Sequence, residues 1–285
     1  RGDQEVMGNI EKLFKIANSS PITVKNQVKF GNVNKWSPAD IYLATSIARN
    51  QISQAVVKAK PKSYSFIDLN ILTSNLIDSG DLLPLSLKKT TKDVQLQKVN
   101  FDKKSEIKAL EKVSLSSKKV TNWQPYVKVP FGTKGETRDM RAFLNNNGEI
   151  KFRHDPSAKR FVAEFIGGGA EARGGSIGSI KLFCELMSFV DKETSKQILK
   201  KYQEGEKQYF IDLKLIENLR AKDKKLFDHE RGAISAMNII NKVMPILKNW
   251  FIKTDKKKVD DFIRIIFQYI TSRTPLSGKF VIAKG

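Results

Sequence analysis

Cysteine, histidine and long apolar runs are what this sequence has least of. Its 285 residues include one cysteine, Cys184. No disulfide can therefore form within the chain, and the apolar setting Leu182-Phe183-Cys184-Glu185-Leu186-Met187 predicts a buried thiol in a reducing compartment. The 2 histidines, His154 and His229, each precede one carboxylate. Two isolated histidines do not make a zinc site, and with the cysteine far from both a Cys-His hydrolase is not supported either. No apolar run is long enough to span a bilayer, and Arg1-Gly2-Asp3-Gln4-Glu5 is not a secretory signal. A cytoplasmic, non-secreted protein without a membrane partner is expected. Acids are scarce relative to bases: 30 Asp and Glu face 51 Lys and Arg, a net charge of +21 spread along the whole chain. A surface of this sign collects phosphates by counterion release, so the expected partner is nucleic acid.

What is present reads as alternating helices and strands. Val6, Ile10, Leu13, Phe14 and Ile16 form a helical stripe that also carries Glu11, and residues 22–30 alternate as a strand. Helices are predicted over 47–60, stopped by Pro61, and over 66–79, stopped by Gly80. Strands follow over 82–88 and 94–101. Residues 102–120 are lysine-rich, a helix with an exposed face or an excursion, and 149–166 reads as two short strands. A glycine-rich loop, 167–178, precedes a mainly helical stretch with helices over 177–190, 195–203, 232–251, kinked at Pro245, and 259–272. The last residues, 279–283, return to a strand. The prediction is an α/β fold, a mixed central sheet flanked by helices with a helical C-terminal elaboration. Its core covers 1–166, and 167–285 adds the loop and helices, with a last strand that rejoins the core sheet.

Two segments place a charge inside an apolar, strand-like run: Lys35-Trp36-Ser37-Pro38-Ala39-Asp40-Ile41-Tyr42-Leu43 and Leu83-Pro84-Leu85-Ser86-Leu87-Lys88-Lys89. Charges in half-buried strands cost free energy unless compensated, which marks both as site candidates. Strand parity sets Asp40 on one face with Tyr42, and Ser86 on one face with Lys88. If the strands are neighbours, Asp40, Ser86 and Lys88 converge. A carboxylate and a lysine so placed suit phosphodiester hydrolysis, in which Mg²⁺ or Mn²⁺ neutralises charge and lysine supports it.

These residues resemble the PD-(D/E)xK nuclease superfamily, the restriction-endonuclease-like enzymes, over roughly residues 5–102. Pro38-Ala39-Asp40 and Ser86-Leu87-Lys88 would fill the family's Asp and acidic-x-Lys places. One extra residue separates the proline from Asp40, and Ser86 stands where an acid belongs. Some family members with serine there take the missing carboxylate from further along the chain, which implies Asp102, with Asp93 behind it. The resemblance thus implies a metal-dependent DNA nuclease with Asp40 and Asp102 as metal ligands, Glu11 as an added one, and Asp40, Ser86, Lys88 and Asp102 as catalytic residues. The wording around both motifs is also similar to uncharacterised proteins of large tailed phages, which implies a host-cytoplasmic or virion location.

Around this centre, Lys89 and Lys92 beside the motif and Arg173 in the glycine-rich loop are the expected phosphate-backbone contacts. Gln95 and Gln97 are candidates for the attacking water, and Trp36 and Trp123 for stacking on bases. The alternative from another class is a non-catalytic, basic nucleic-acid-binding or virion-associated structural protein with a degenerate nuclease fold. Serine at position 86 motivates it.

Overall fold

The computed structural model describes residues 2–20, 29–88, 93–133, 138–155, 160–167 and 175–284. In chain order its elements are α1 (Gln4–Ser19), α2 (Val33–Trp36), β1 (Ile41–Ala44), α3 (Ser46–Lys58), α4 (Phe66–Asp78), β2 (Leu82–Leu87), β3 (Gln95–Val99), α5 (Lys103–Leu110), β4 (Leu115–Val120), β5 (Met140–Leu144), β6 (Glu149–Asp155), β7 (Arg160–Ile166) and β8 (Ser176–Ile177). There follow α6 (Ile180–Ser188), α7 (Lys192–Leu215), α8 (Leu219–Lys222), α9 (Lys224–Ser235), a π-helical turn (Ala236–Ile240), α10 (Asn241–Lys253), α11 (Lys256–Ile270) and β9 (Phe280–Lys284). The chain is mixed α/β, with two sheets and flanking helices.

Two compact units result, Arg1–Lys112 with Thr271–Gly285, and Val113–Ile270. The division therefore falls well before the predicted boundary at 166. The cause lies in 102–120: this segment splits into α5 and β4, and β4 joins the second sheet by pairing with β5, a strand the sequence did not announce.

The first unit has a four-stranded sheet in the order β1-β2-β9-β3. β1 runs antiparallel to β2, β9 parallel to β2, and β3 antiparallel to β9. Its helices begin where the sequence supplies caps: Asp3 accepts the Val6 amide, and Ser65 with Asp68 forms a reciprocal capping box on α4. α4 ends at Ser79, and Gly80 follows with φ 81°, which a glycine adopts without strain. Val6, Ile10, Leu13 and Phe14 of α1 are buried with Tyr42, Leu82, Leu69 and Phe66. The strand expected over 22–30 falls mostly on residues outside those described.

The second unit is an antiparallel meander, β4-β5-β6-β7-β8, with helices against one face. Phe152 and Phe161 of that face meet Phe183 of α6, and Phe251 and Phe165 bring in α10 and α11 through Phe152 and Phe267. The opposite face carries ion pairs, Arg141 with Glu149 and Arg153 with Glu164. α7 is far longer than the predicted 195–203. It runs through Gly205, where a β-carbon would collide with the Asn238 carbonyl of the π-helical turn, so the missing side chain is what lets the two helices close. Among the described residues no helix is long and apolar enough to cross a membrane.

Candidate functional site

β1 and β2 are neighbours, paired from Ile41↔Leu85 to Ala44↔Leu82. Asp40 directly precedes β1 and Lys88 directly follows β2. Antiparallel pairing therefore brings both to one end of the sheet, and both are exposed. The Asp40 amide donates to the Leu85 carbonyl at 2.7 Å. Its carboxylate Oδ2 accepts the Leu87 amide at 2.6 Å. On the other side the Lys88 amide donates to the Ala283 carbonyl of β9 at 3.0 Å. The backbone that presents Lys88 is thus held from both flanks, although Lys88 lies beyond the strand.

Ser86 stands opposite Asp40 in register, one position past Ile41↔Leu85, but points into the core. Leu82, Pro84 and Ser86 are the buried positions of β2, and Ser86 is only 2% exposed. Beside them Tyr42 is buried opposite Pro84, and that burial pushes its phenol up to about 12. A serine so enclosed is a core hydroxyl, not a residue open to solvent beside Asp40.

Asp102 is not brought to this place. Val99, the end of β3, pairs with Phe280, while Leu85 pairs with Val281 of the parallel β9. Val99 is therefore level with Pro84, four residues short of Lys88, or about 13 Å along the sheet at ~3.3 Å per residue. Asp102 lies beyond Val99, at the opposite end, where its carbonyl accepts the Glu106 amide and opens α5. The displaced-acid assignment fails for this reason. Asp93 is at the Lys88 end, but β3 is the third strand from β1, roughly 14 Å across at ~4.8 Å per strand.

Glu11 sits on the exposed side of α1, opposite its buried stripe, and pairs with Lys15 at 3.0 Å. Several other acids of this unit are similarly engaged. Asp3 holds Arg49, Asp68 caps α4, Asp78 takes both its oxygens to Lys279, and Asp81 accepts from Thr45 and Ser79. Glu106 accepts the Asn100 amide. Every Asp and Glu of the first unit is within the described residues.

A site for Mg²⁺ or Mn²⁺ needs several hard oxygen ligands in near-octahedral array, commonly with more than one carboxylate. Asp40 offers one carboxylate, already bound to a backbone amide. Among the described residues no group of three or more His, Cys, Asp or Glu could hold a metal ion. The residues present therefore do not fit the metal centre that the motif implies.

Lys89, Lys92 and Arg173, the expected backbone contacts, lie outside the described residues, as does most of the glycine-rich loop. Gln97 is level with Ser86 through Ile282, and Gln95 is exposed at the Lys88 end. Trp36 and Trp123 are buried, so neither can stack on a base. Trp36 instead donates its indole N–H to Asn70 at 3.0 Å. His154 is buried with its Nε2 3.2 Å from the Ser235 hydroxyl, and His229 Nε2 lies 3.0 Å from the Val129 carbonyl.

An open aromatic that sequence reasoning missed is Phe210, 54% exposed on the outer side of α7. Its signal was present as Tyr209-Phe210-Ile211 among lysines, once the helix is carried past Gly205. No protein-family model, curated protein or solved structure matches this chain.

Proposed function

We propose that this chain is a nucleic-acid-binding protein, DNA being its first partner, that carries a restriction-endonuclease-like strand pair without a complete metal centre. The observation that carries this reading is that, among the described residues, no group of three or more His, Cys, Asp or Glu able to hold a metal ion gathers around Asp40 at the Lys88 end of the β1–β2 pair. Asp40 spends an oxygen on the Leu87 amide, Asp102 begins α5 at the far end of the sheet, and Ser86 is enclosed. The charge of +21 supplies affinity for phosphates without any metal. In this reading Lys88 is a phosphate contact whose backbone is fixed by Asp40 and Ala283.

A second reading, a metal-dependent DNA nuclease, is favoured by one observation: Asp40 and Lys88, far apart in sequence, stand at the same end of adjacent strands. No catalytic step is derived for it, because the donor set does not fit the ion. The two readings separate in one experiment. Labelled duplex and single-stranded DNA are incubated with the protein in low salt, with Mg²⁺, Mn²⁺ or EDTA, and both binding and strand length are read. Binding with intact strands in every arm supports the first reading, and metal-dependent scission supports the second.

A further inference from the structure

The outer face of α7 has the chemistry of a nucleic-acid contact and is used by nothing described above. Ser195, Ile198 and Gly205 are its buried residues. At 100° per residue, Lys200, Lys207 and Lys214 fall on the opposite side, repeating every two turns, about 10.5 Å apart. All three lysines are exposed, and none forms an ion pair among the described residues. Phe210 and Ile211 lie between Lys207 and Lys214 at the i+3 and i+4 spacings that make helix neighbours. Phe210 meets Tyr209 edge to face at 5.2 Å, which steadies a ring that still shows half its surface. Of the acids along this stretch, Glu204 is held by Lys201 and Asp212 by Asn238 and Gln208, while Glu206 lies one residue before Lys207.

We infer that this face binds single-stranded nucleic acid, with Lys200, Lys207 and Lys214 on phosphates of one strand and Phe210 stacked on a base. Resting as it does on the nucleic-acid-binding reading, the inference names where and in what form the strand is held. A row of cations alone would suit any polyanion. The exposed ring within that row is what selects a single strand, because a duplex hides its base faces and offers a phenyl ring nothing to stack on. A second copy of the chain is disfavoured as occupant by like charge, since each copy carries +21.

The test uses the full chain and fluorescence anisotropy with a labelled DNA single strand, the RNA of the same sequence and the matching DNA duplex, over a salt series. The triple variant Lys200→Gln, Lys207→Gln, Lys214→Gln should lower the slope of log affinity against log salt by about 2 for single strands. Phe210→Ala should weaken single-strand binding roughly tenfold and leave the duplex nearly unchanged. Phe210→Tyr should retain affinity, whereas Phe210→Leu should fail like alanine. Unchanged melting curves for all four variants show that the fold is intact. If the parent binds nucleic acid but both the triple variant and Phe210→Ala bind as the parent does, this inference is overturned and the binding reading stands. If the parent binds none of the three ligands, the binding reading itself fails. Equal rescue by Phe210→Leu, or vesicles of anionic lipid competing through the same residues, would overturn stacking in favour of an apolar contact.

Discussion

The Asp40 carboxylate, one position past Ile41, accepts at 2.6 Å the amide of Leu87, two positions past Leu85, where the pairing of β1 and β2 ends. A side chain there does what a strand neighbour would do. It satisfies a backbone donor that the edge of β1 no longer reaches, and it fixes the Ser86–Leu87 peptide, one residue before Lys88.

The substitution Asp40→Ala should therefore lower the stability of the first unit by about 1.5 kcal/mol, the low end of the range for a charged group bonding an amide, because Asp40 is exposed. Asp40→Asn, which keeps a carbonyl oxygen in place, should cost less than half as much. Urea melts followed by tryptophan fluorescence check this, and equal stability of all three proteins would show that the contact contributes nothing.

Exchanging Asp102 for Asn should alter neither nucleic-acid affinity nor any nuclease activity found in the preparation. The register places this residue at the sheet end opposite Lys88. A loss of cleavage in Asp102→Asn, with binding intact, would restore it to the site.

Gly205→Ala gains roughly 1 kcal/mol of intrinsic helix propensity and should nonetheless destabilise the second unit. The added methyl would strike the Asn238 carbonyl and crowd Ile239, backbone atoms that cannot turn aside. A net loss of about 2 kcal/mol is expected in thermal melts, within the range for overpacking. Stabilisation would mean that α7 and the π-helical turn are not in contact there.

Asp191 caps α7 and is shared by Thr194, Trp250 and Lys258. Burial alone would raise its pKa, but the Thr194 amide, Lys258 and Trp250 outweigh it and hold the carboxyl at about 2, against an ordinary 3.8. A carboxyl depressed in the folded state contributes stability that is complete above the unfolded value and is lost as pH falls from about 4 through about 2. Asp191→Asn should flatten this limb of the stability curve, and an identical acid limb in the variant would remove Asp191 from the account.

Local features of this fold were legible in the sequence. α4 announces itself by Ser65, Asp68 and Gly80, and β2 by an apolar run broken only at Ser86. Nonlocal ones were not. Thirteen residues between Lys88 and Asp102 say nothing about which end of a sheet Asp102 reaches, because β9, from the far end of the chain, inserts between β2 and β3. Lysines concealed β4 within 102–120, since solvated charge masks strand alternation. The helix predicted over 195–203 ended short of Gly205, and that residue's packing partner in the π-helical turn explains how α7 runs on through it.

The central claim is that this protein holds nucleic acid through charge and does not cut it through a metal at Asp40. The most direct measurement incubates the full chain with labelled DNA at low salt, with Mg²⁺ or with EDTA, and reads anisotropy and strand length on the same samples. The account predicts saturable binding that weakens steeply as salt rises, is indifferent to metal, and leaves every strand intact. Mg²⁺-dependent cleavage that disappears in Asp40→Asn, or an absence of binding at low salt, would contradict it.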